Sequence, residues 1–310
     1  MNVQTPKITF YAKRAFGEKM TATFDFIKEN WKPMLKYITY LMLPIALLMG
    51  LTMNKMLNWL HMVDLASTEV TNMDGFLPSS FFLGVIPTTL LSLIAAILLA
   101  GLIFSFVQLY NTREDRLNNI TFAEIKPLLF KNSGRAALGM LFLFAVIFLV
   151  AIIIGLLAGL MPFLVFILVP LLFVIVIPLS LFLPVYLFEE ISAVAALKKS
   201  FRLGFATWGG TFLILLVMGI IANILQGVFS LPWGIMFAVK SILVASDVNA
   251  VSDTSVVYTF LLYIVGVLAV FGNFLSMVFT QLGMCYQYAH ASEVIDSITI
   301  ESDIDKFEQL

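Results

Sequence analysis

Six long apolar stretches constrain this chain more than any other feature of its sequence. A membrane-spanning helix needs about 20 consecutive, mostly apolar residues, and six segments meet that demand. The predicted spans are residues 37–57, 83–109, 136–160, 163–187, 211–229 and 258–284. We therefore predict an all-α integral membrane protein, a helical bundle with about six transmembrane helices.

Composition supports lipid as the main solvent. The chain is 61% hydrophobic and 12% charged, whereas soluble domains are roughly 45–50% apolar and about 25% charged. A net charge of -1 argues against a nucleic-acid partner, because such binding needs a basic surface that neutralises phosphates. We predict one polytopic membrane domain over residues 1–290, followed by an acidic cytoplasmic tail over residues 291–310.

The positive side chains predict the orientation. Seven Lys and Arg residues precede the first span, five lie in the second connection, three in the fourth and one in the tail, which makes 16 of the 18. Only Lys55 and Lys240 fall on the other side. Because positive residues are retained on the cytoplasmic side, we predict that both termini are cytoplasmic.

Amphipathic segments precede spans 1, 3 and 5, and we predict that they form interfacial helices. Before span 3, Thr121 is followed three residues later by Glu124, a pattern typical of a capped helix start. Pro127 predicts that this helix is short or bent. Before span 1, one helical stripe is apolar: Phe16, Met20, Phe24, Ile27 and Trp31. Before span 5, a similar stripe contains Val194, Leu197, Phe201 and Phe205.

This sequence contains few candidate catalytic residues. Glu189 and Glu190 end span 4, where two carboxylates could do acid–base work, but a purely structural role is favoured. The two histidines, His61 and His290, are predicted on opposite sides of the membrane and so share no metal ion. Cys285, the single cysteine, is interpreted as a buried structural thiol. We predict that the protein is not an enzyme and that it needs no cofactor or metal.

Polar side chains inside the spans are mainly amides. Asn223 and Gln226 share one face of span 5, and Asn273 lies in span 6. Such amides hold helices together in lipid; the alternative is that the three line a polar cleft for a lipid headgroup or a small solute. Span 4 also contains Pro170, Pro178 and Pro184, which predict kinks or broken hydrogen bonds.

The fourth connection carries Lys198, Lys199 and Arg202 close to Glu189. Basic residues beside an anionic leaflet contribute about 1 kcal/mol each to membrane attachment. We predict that these four residues contact a lipid headgroup or a protein partner, with lipid anchoring as the simpler interpretation.

The segment Pro184 to Leu203 reads PVYLFEEISAVAALKKSFRL. It resembles a pattern in bacterial proteins related to the membrane domain of glycerophosphodiester phosphodiesterases, including stand-alone members that are uncharacterised. The matching positions are Glu189, Ser192, Ala196, Leu197, Lys198, Lys199, Ser200, Phe201, Arg202 and Leu203. The resemblance implies a bacterial inner-membrane protein. It does not carry hydrolase activity with it, because the catalytic barrel of such fusions has no counterpart after His290.

Two functions remain open from the sequence. The first is a non-enzymatic inner-membrane protein that acts as a scaffold, or in envelope assembly or homeostasis, through membrane lipids or through a protein partner in the membrane or cytoplasm. The alternative is a carrier or lipid-handling protein that uses the proline-kinked span 4 and the amides of spans 5 and 6.

Overall fold

The computed structural model describes residues 6–66, 79–246 and 256–299, which are nearly all helical. Eight α-helices lie in these ranges. In chain order they are α1 (Phe16–Ala66), α2 (Ser79–Thr112), α3 (Phe122–Leu160), α4 (Val165–Leu179), α5 (Phe182–Glu189), α6 (Ala193–Ala206), α7 (Trp208–Ser246) and α8 (Val256–Ile295).

Six helical stretches in the described ranges are long and apolar enough to cross a membrane. They are Phe16–Thr52, Gly84–Thr112, Phe122–Leu160, Val165–Glu189, Trp208–Ile242 and Val256–Ile295. The predicted fold class is therefore confirmed: the described chain is all-helical and without strands, with six helices of spanning length. Most of these helices continue beyond the predicted spans into the connections, because hydropathy marks only their apolar middle.

The helix α1 has one irregular position near its start. Asn30 has non-helical backbone angles (φ -112°, ψ 15°), and its side-chain amide donates to Phe26 O at 2.9 Å. Pro33 follows three residues later; it has no backbone N–H to give to Glu29 O, and its ring crowds that carbonyl. The kink divides the charged beginning of α1 from its apolar continuation.

The helix α3 differs from the prediction of a short or bent segment around Pro127. It runs without interruption from Phe122 through Pro127 to Leu160, because a proline near a helix start removes only one of many backbone hydrogen bonds. The capping contact between Thr121 and Glu124, which the sequence predicts at the start of α3, is present. The Glu124 carboxylate accepts hydrogen bonds from the Thr121 N–H at 2.7 Å and from the Thr121 hydroxyl at 2.8 Å.

The fourth span is broken, as its prolines predict. The helix α4 ends at Leu179 and α5 begins at Phe182. Pro184 has no N–H to donate to Ser180 O, and at the break Leu181 N–H bonds instead to Pro178 O at 3.1 Å. On the other side of α4, a short 3₁₀ turn, Pro162–Leu164, connects it to the end of α3.

The chain divides into two compact units. The first unit contains the described residues of Met1–Leu35, Ala100–Ile220 and Val278–Leu310. Two helical segments in it are buried on every side: residues 100–107 of α2 and residues 282–289 of α8. The first unit also contains α3 to α6 and most of the basic residues counted in the sequence.

The second unit contains the described residues of Lys36–Leu99 and Ile221–Met277. Glycines of α1 and α8 allow close approach of helices within it. A Cβ atom on Gly272 would lie 2.2 Å from Phe229 of α7, and one on Gly50 of α1 would lie 2.7 Å from Val267 of α8. Glycine at such positions lets helices pack tightly in a membrane.

The end of α8 extends into the predicted tail. The helix continues past residue 290 to Ile295, and Glu293 is buried there. Its carboxylate accepts a hydrogen bond from Thr299 N–H at 3.1 Å. Residues 300–310 lie outside the described residues.

Candidate functional site

The segment Pro184 to Leu203 forms a sharp corner in the first unit. The helix α5 ends at Glu189, and Glu190 adopts left-handed backbone angles (φ 55°, ψ 21°) that are uncommon for a residue with a side chain. Ser192 then begins α6, and its hydroxyl accepts from Ala195 N–H at 3.3 Å. The chain reversal brings α6 back alongside α5, so that Glu189 and Lys199 meet.

A network of charged side chains closes this corner against the end of α8. The Lys199 ammonium lies 2.7 Å from Glu189 Oε2 and 2.7 Å from Asp296 Oδ2. Arg202 forms a second ion pair with Asp296, and the Tyr288 hydroxyl donates to Glu189 Oε1 at 2.8 Å. Burial by itself lowers the pKa of Lys199, but its bonds to Asp296 and Glu189 raise that pKa above its ordinary value. Lys199 therefore stays charged.

Three of the four predicted lipid or partner contacts belong to this internal network: Glu189, Lys199 and Arg202. Lys198, the fourth, is exposed and takes part in none of the ion pairs of the described residues. Glu190 lies apart from Glu189 and pairs with Lys131 of α3. The two glutamates considered for acid–base work thus have separate structural partners.

The predicted amide cluster lies in the second unit. Gln226 donates to Ala269 O of α8 at 3.4 Å, and its Oε1 atom is buried without a hydrogen-bond partner. Asn223 and Asn273 are both exposed, and the Asn273 amide lies 4.0 Å from the Met277 sulfur. Gln226 thus bonds to a neighbouring helix.

Residues 6–15 form a non-helical segment that packs on the first unit. Phe10 lies among aromatic rings, with ring centroids 4.9 Å from Phe188 and 5.8 Å from Tyr286. The Lys7 ammonium donates to Asn111 O at 2.7 Å, and Arg14 N–H donates to His290 Nδ1 at 3.0 Å. His290 therefore serves as an acceptor for this segment.

A second polar cluster lies deeper in the first unit, around Lys19. The Lys19 side chain is 3% exposed, and its ammonium donates to Gln287 Oε1 at 2.7 Å. The Gln287 amide nitrogen donates to Thr211 Oγ1 at 2.9 Å and to Thr207 Oγ1 at 3.3 Å. This cluster joins α1, α8 and the start of α7, and we call it the Lys19 cluster.

Sequence reasoning missed the Lys19 cluster. In the sequence, Lys19 is one of the seven basic residues that precede span 1, and nothing in its spacing predicts burial. One signal groups it with a neighbour: Lys19 and Thr23 lie four residues apart, on a polar stripe beside the apolar stripe of Phe16 to Trp31. The structure buries that polar stripe, including Thr23 and Asn30, while Phe24 and Trp31 are exposed.

The described residues offer few side chains that could bind a metal or a cofactor. No group of three or more His, Cys, Asp or Glu side chains lies close enough there to hold a metal ion. Cys285 is fully buried. The side chain of His61 lies outside those that the structure describes.

Comparison with known proteins adds no relative: no protein-family model, no curated protein and no solved structure matches the chain. The resemblance to the membrane domain of glycerophosphodiester phosphodiesterases therefore stays a prediction. The class of protein rests on the helices themselves, which are those of a multi-pass membrane protein.

The two glutamates at the corner provide a matched test. The side chains of Lys199 and Glu189 are 22% and 16% exposed, whereas those of Lys131 and Glu190 are 48% and 50% exposed. We expect Glu189→Gln to lower the free energy of unfolding by about 1–2 kcal/mol, because it leaves Lys199 short of a partner. Glu190→Gln should change it by less than about 0.5 kcal/mol, because solvent screens an exposed pair.

Thermal unfolding of both variants in the same mild detergent measures the difference. Equal losses in the two variants would contradict the assignment of Glu189 to a structural network. Normal stability of Glu189→Gln combined with lost cellular function would favour an acid–base role instead.

Proposed function

We propose that this protein is a non-enzymatic, multi-pass protein of a bacterial inner membrane that acts through lipids and membrane partners, as a scaffold or in envelope assembly or homeostasis. One observation carries the proposal. Glu189, the best candidate for acid–base chemistry, is bound by Lys199 and Tyr288. The segment with the family-like pattern thus builds a corner of the fold.

The exposed lysines support an action through the membrane surface or through partners. Lys199 and Arg202 are occupied by carboxylates, but other basic residues of the first unit are exposed: Lys13, Lys28, Lys32, Lys126 and Lys198. Each contributes about 1 kcal/mol of attraction to an anionic leaflet. None of the five takes part in an ion pair of the described residues.

Both termini are placed in the cytoplasm by this proposal, since positive residues accumulate on that side. The first unit groups the N-terminal segment, the second and fourth connections and the end of α8. These are the parts of the chain that hold most of the lysines and arginines.

Lipid handling is a second candidate function, and one specific observation favours it. Ionisable residues buried in a membrane protein are costly and usually serve a function. Lys19 is such a residue, and the corner network does not include it.

Photo-crosslinking in living cells tests the scaffold proposal. We expect a benzoylphenylalanine at Lys126 or Lys198, both exposed in the connections, to give a discrete protein adduct. The matched control is Phe166 of α4, which is 82% exposed on an apolar helix and should crosslink to lipid alone. The scaffold proposal would be contradicted if all three positions gave lipid adducts and none gave a protein adduct.

Cysteine labelling tests the orientation. With Cys285 replaced by alanine, single cysteines are placed at Asp74, whose predicted outer loop lies outside the described residues, and at Asn118, which is exposed between α2 and α3. An impermeant thiol reagent on intact cells should label the first and leave the second unlabelled until the cells are permeabilised. Labelling of Asn118 in intact cells would reverse the proposed orientation.

A further inference from the structure

The Lys19 ammonium is buried without the partners that it needs. An ammonium group has three N–H donors, and Lys19 fills one of them, with Gln287 Oε1. None of the ion pairs among the described residues includes Lys19. A buried charge of this kind is costly unless it is paired. Lys19 is therefore a buried charge for which the described residues supply no negative partner.

The ammonium lies against the first turn of α7. A Cβ atom on Gly210 would lie 3.2 Å from Lys19 Nζ, which places the charge beside the helix backbone. In this turn, Thr211 N–H donates to Thr207 O at 2.9 Å. Trp208, Gly209 and Gly210 occupy the first helical positions of α7, where backbone amides have no partner within their own helix.

The neighbouring hydroxyl groups do not compensate the charge. The Thr207 hydroxyl donates to Leu203 O at 2.9 Å, and the Thr211 hydroxyl donates to Thr207 O at 3.1 Å. Both hydroxyls accept from the Gln287 amide. These bonds hold Gln287 with its Oε1 atom toward Lys19 and leave the other two ammonium donors without partners.

Two positive features therefore face each other. The N-terminus of a long helix carries a partial positive charge and free amides, which makes it a natural anion site. The positive charge of the Lys19 ammonium and the partial positive charge at the start of α7 repel each other unless a negative group lies between them. The glycines leave the backbone accessible: a Cβ atom on Gly209 would meet nothing within 4 Å, and Gly209 is exposed.

We propose that Lys19 and the first turn of α7 form a binding site for a phosphate group. The two remaining ammonium donors and the amides around Gly209 and Gly210 suit a group with several oxygen atoms, such as a phosphate. The group comes from a phospholipid headgroup or from free inorganic phosphate. The site goes beyond the scaffold proposal and does not depend on it.

Thermal unfolding tests the site with three proteins: the wild type, Lys19→Met, and Lys28→Met as the control. Lys28 is an exposed lysine of the same helix, so its replacement changes the net charge equally. The proteins are delipidated in a non-ionic detergent and a phosphate-free buffer. Inorganic phosphate is added in one arm and phosphatidylglycerol in the other, with diacylglycerol as the phosphate-free lipid control.

We expect one of the two phosphate compounds to raise the melting temperature of the wild type and of Lys28→Met by about 5 °C at saturation. The compound that acts identifies the source of the phosphate. Lys19→Met should not respond, and without ligand it should melt at or above the wild-type temperature, because a methionine removes an unpaired buried charge.

The proposal is overturned if neither compound stabilises the wild type, if diacylglycerol works as well as phosphatidylglycerol, or if Lys19→Met responds like the wild type. Should Lys19→Met fail to fold, Lys19→Gln replaces it, since a glutamine removes the charge and still bonds to Gln287. A full response of Lys19→Gln likewise overturns the site.

Discussion

A polar group inside a bilayer has no water to bond with, so it must find its partner within the protein. The first unit meets this demand by turning polar side chains inward. Asn132 of α3 donates to Ser105 of α2 at 2.9 Å. In the connections, ion pairs do the same: Arg116 pairs with Glu29 of α1, and Lys199 with Glu189. Apolar contact between helices gains little in lipid. Hydrogen bonds and ion pairs therefore join these helices.

The side chains that α6 buries reflect the small gain from burying apolar surface in a membrane. Its buried residues are small or medium in size, namely Ala196, Ser200, Leu203 and Gly204, whereas Val194 and Phe205 are more than half exposed. Lipid tails are as apolar as these large side chains, so burying them gains little. Small residues instead allow close approach, and a Cβ atom on Gly204 would lie 2.4 Å from Pro178.

The sequence predicts the features that depend on local chemistry. The six spans follow from hydropathy, the start of α3 from Thr121 and Glu124, and the break before α5 from proline. It does not predict which stripe of an amphipathic helix meets protein, because periodicity groups residues on a face without identifying the neighbour of that face. The burial of Lys19 is unpredictable for this reason. The predicted acidic tail includes Asp296, whose ion pair with Lys199 the sequence does not predict because the two residues are distant in the chain.

The fold of the first unit depends on the orientation of α1: the polar stripe at its start faces protein, and the apolar stripe of Phe16 to Trp31 faces lipid. Fluorescence of Trp31, which is 53% exposed, tests this most directly once the other three tryptophans are replaced by phenylalanine. In liposomes, lipids brominated near the headgroup should quench Trp31 strongly, and aqueous acrylamide should quench it weakly. Strong quenching by acrylamide without quenching by brominated lipid would contradict the claim.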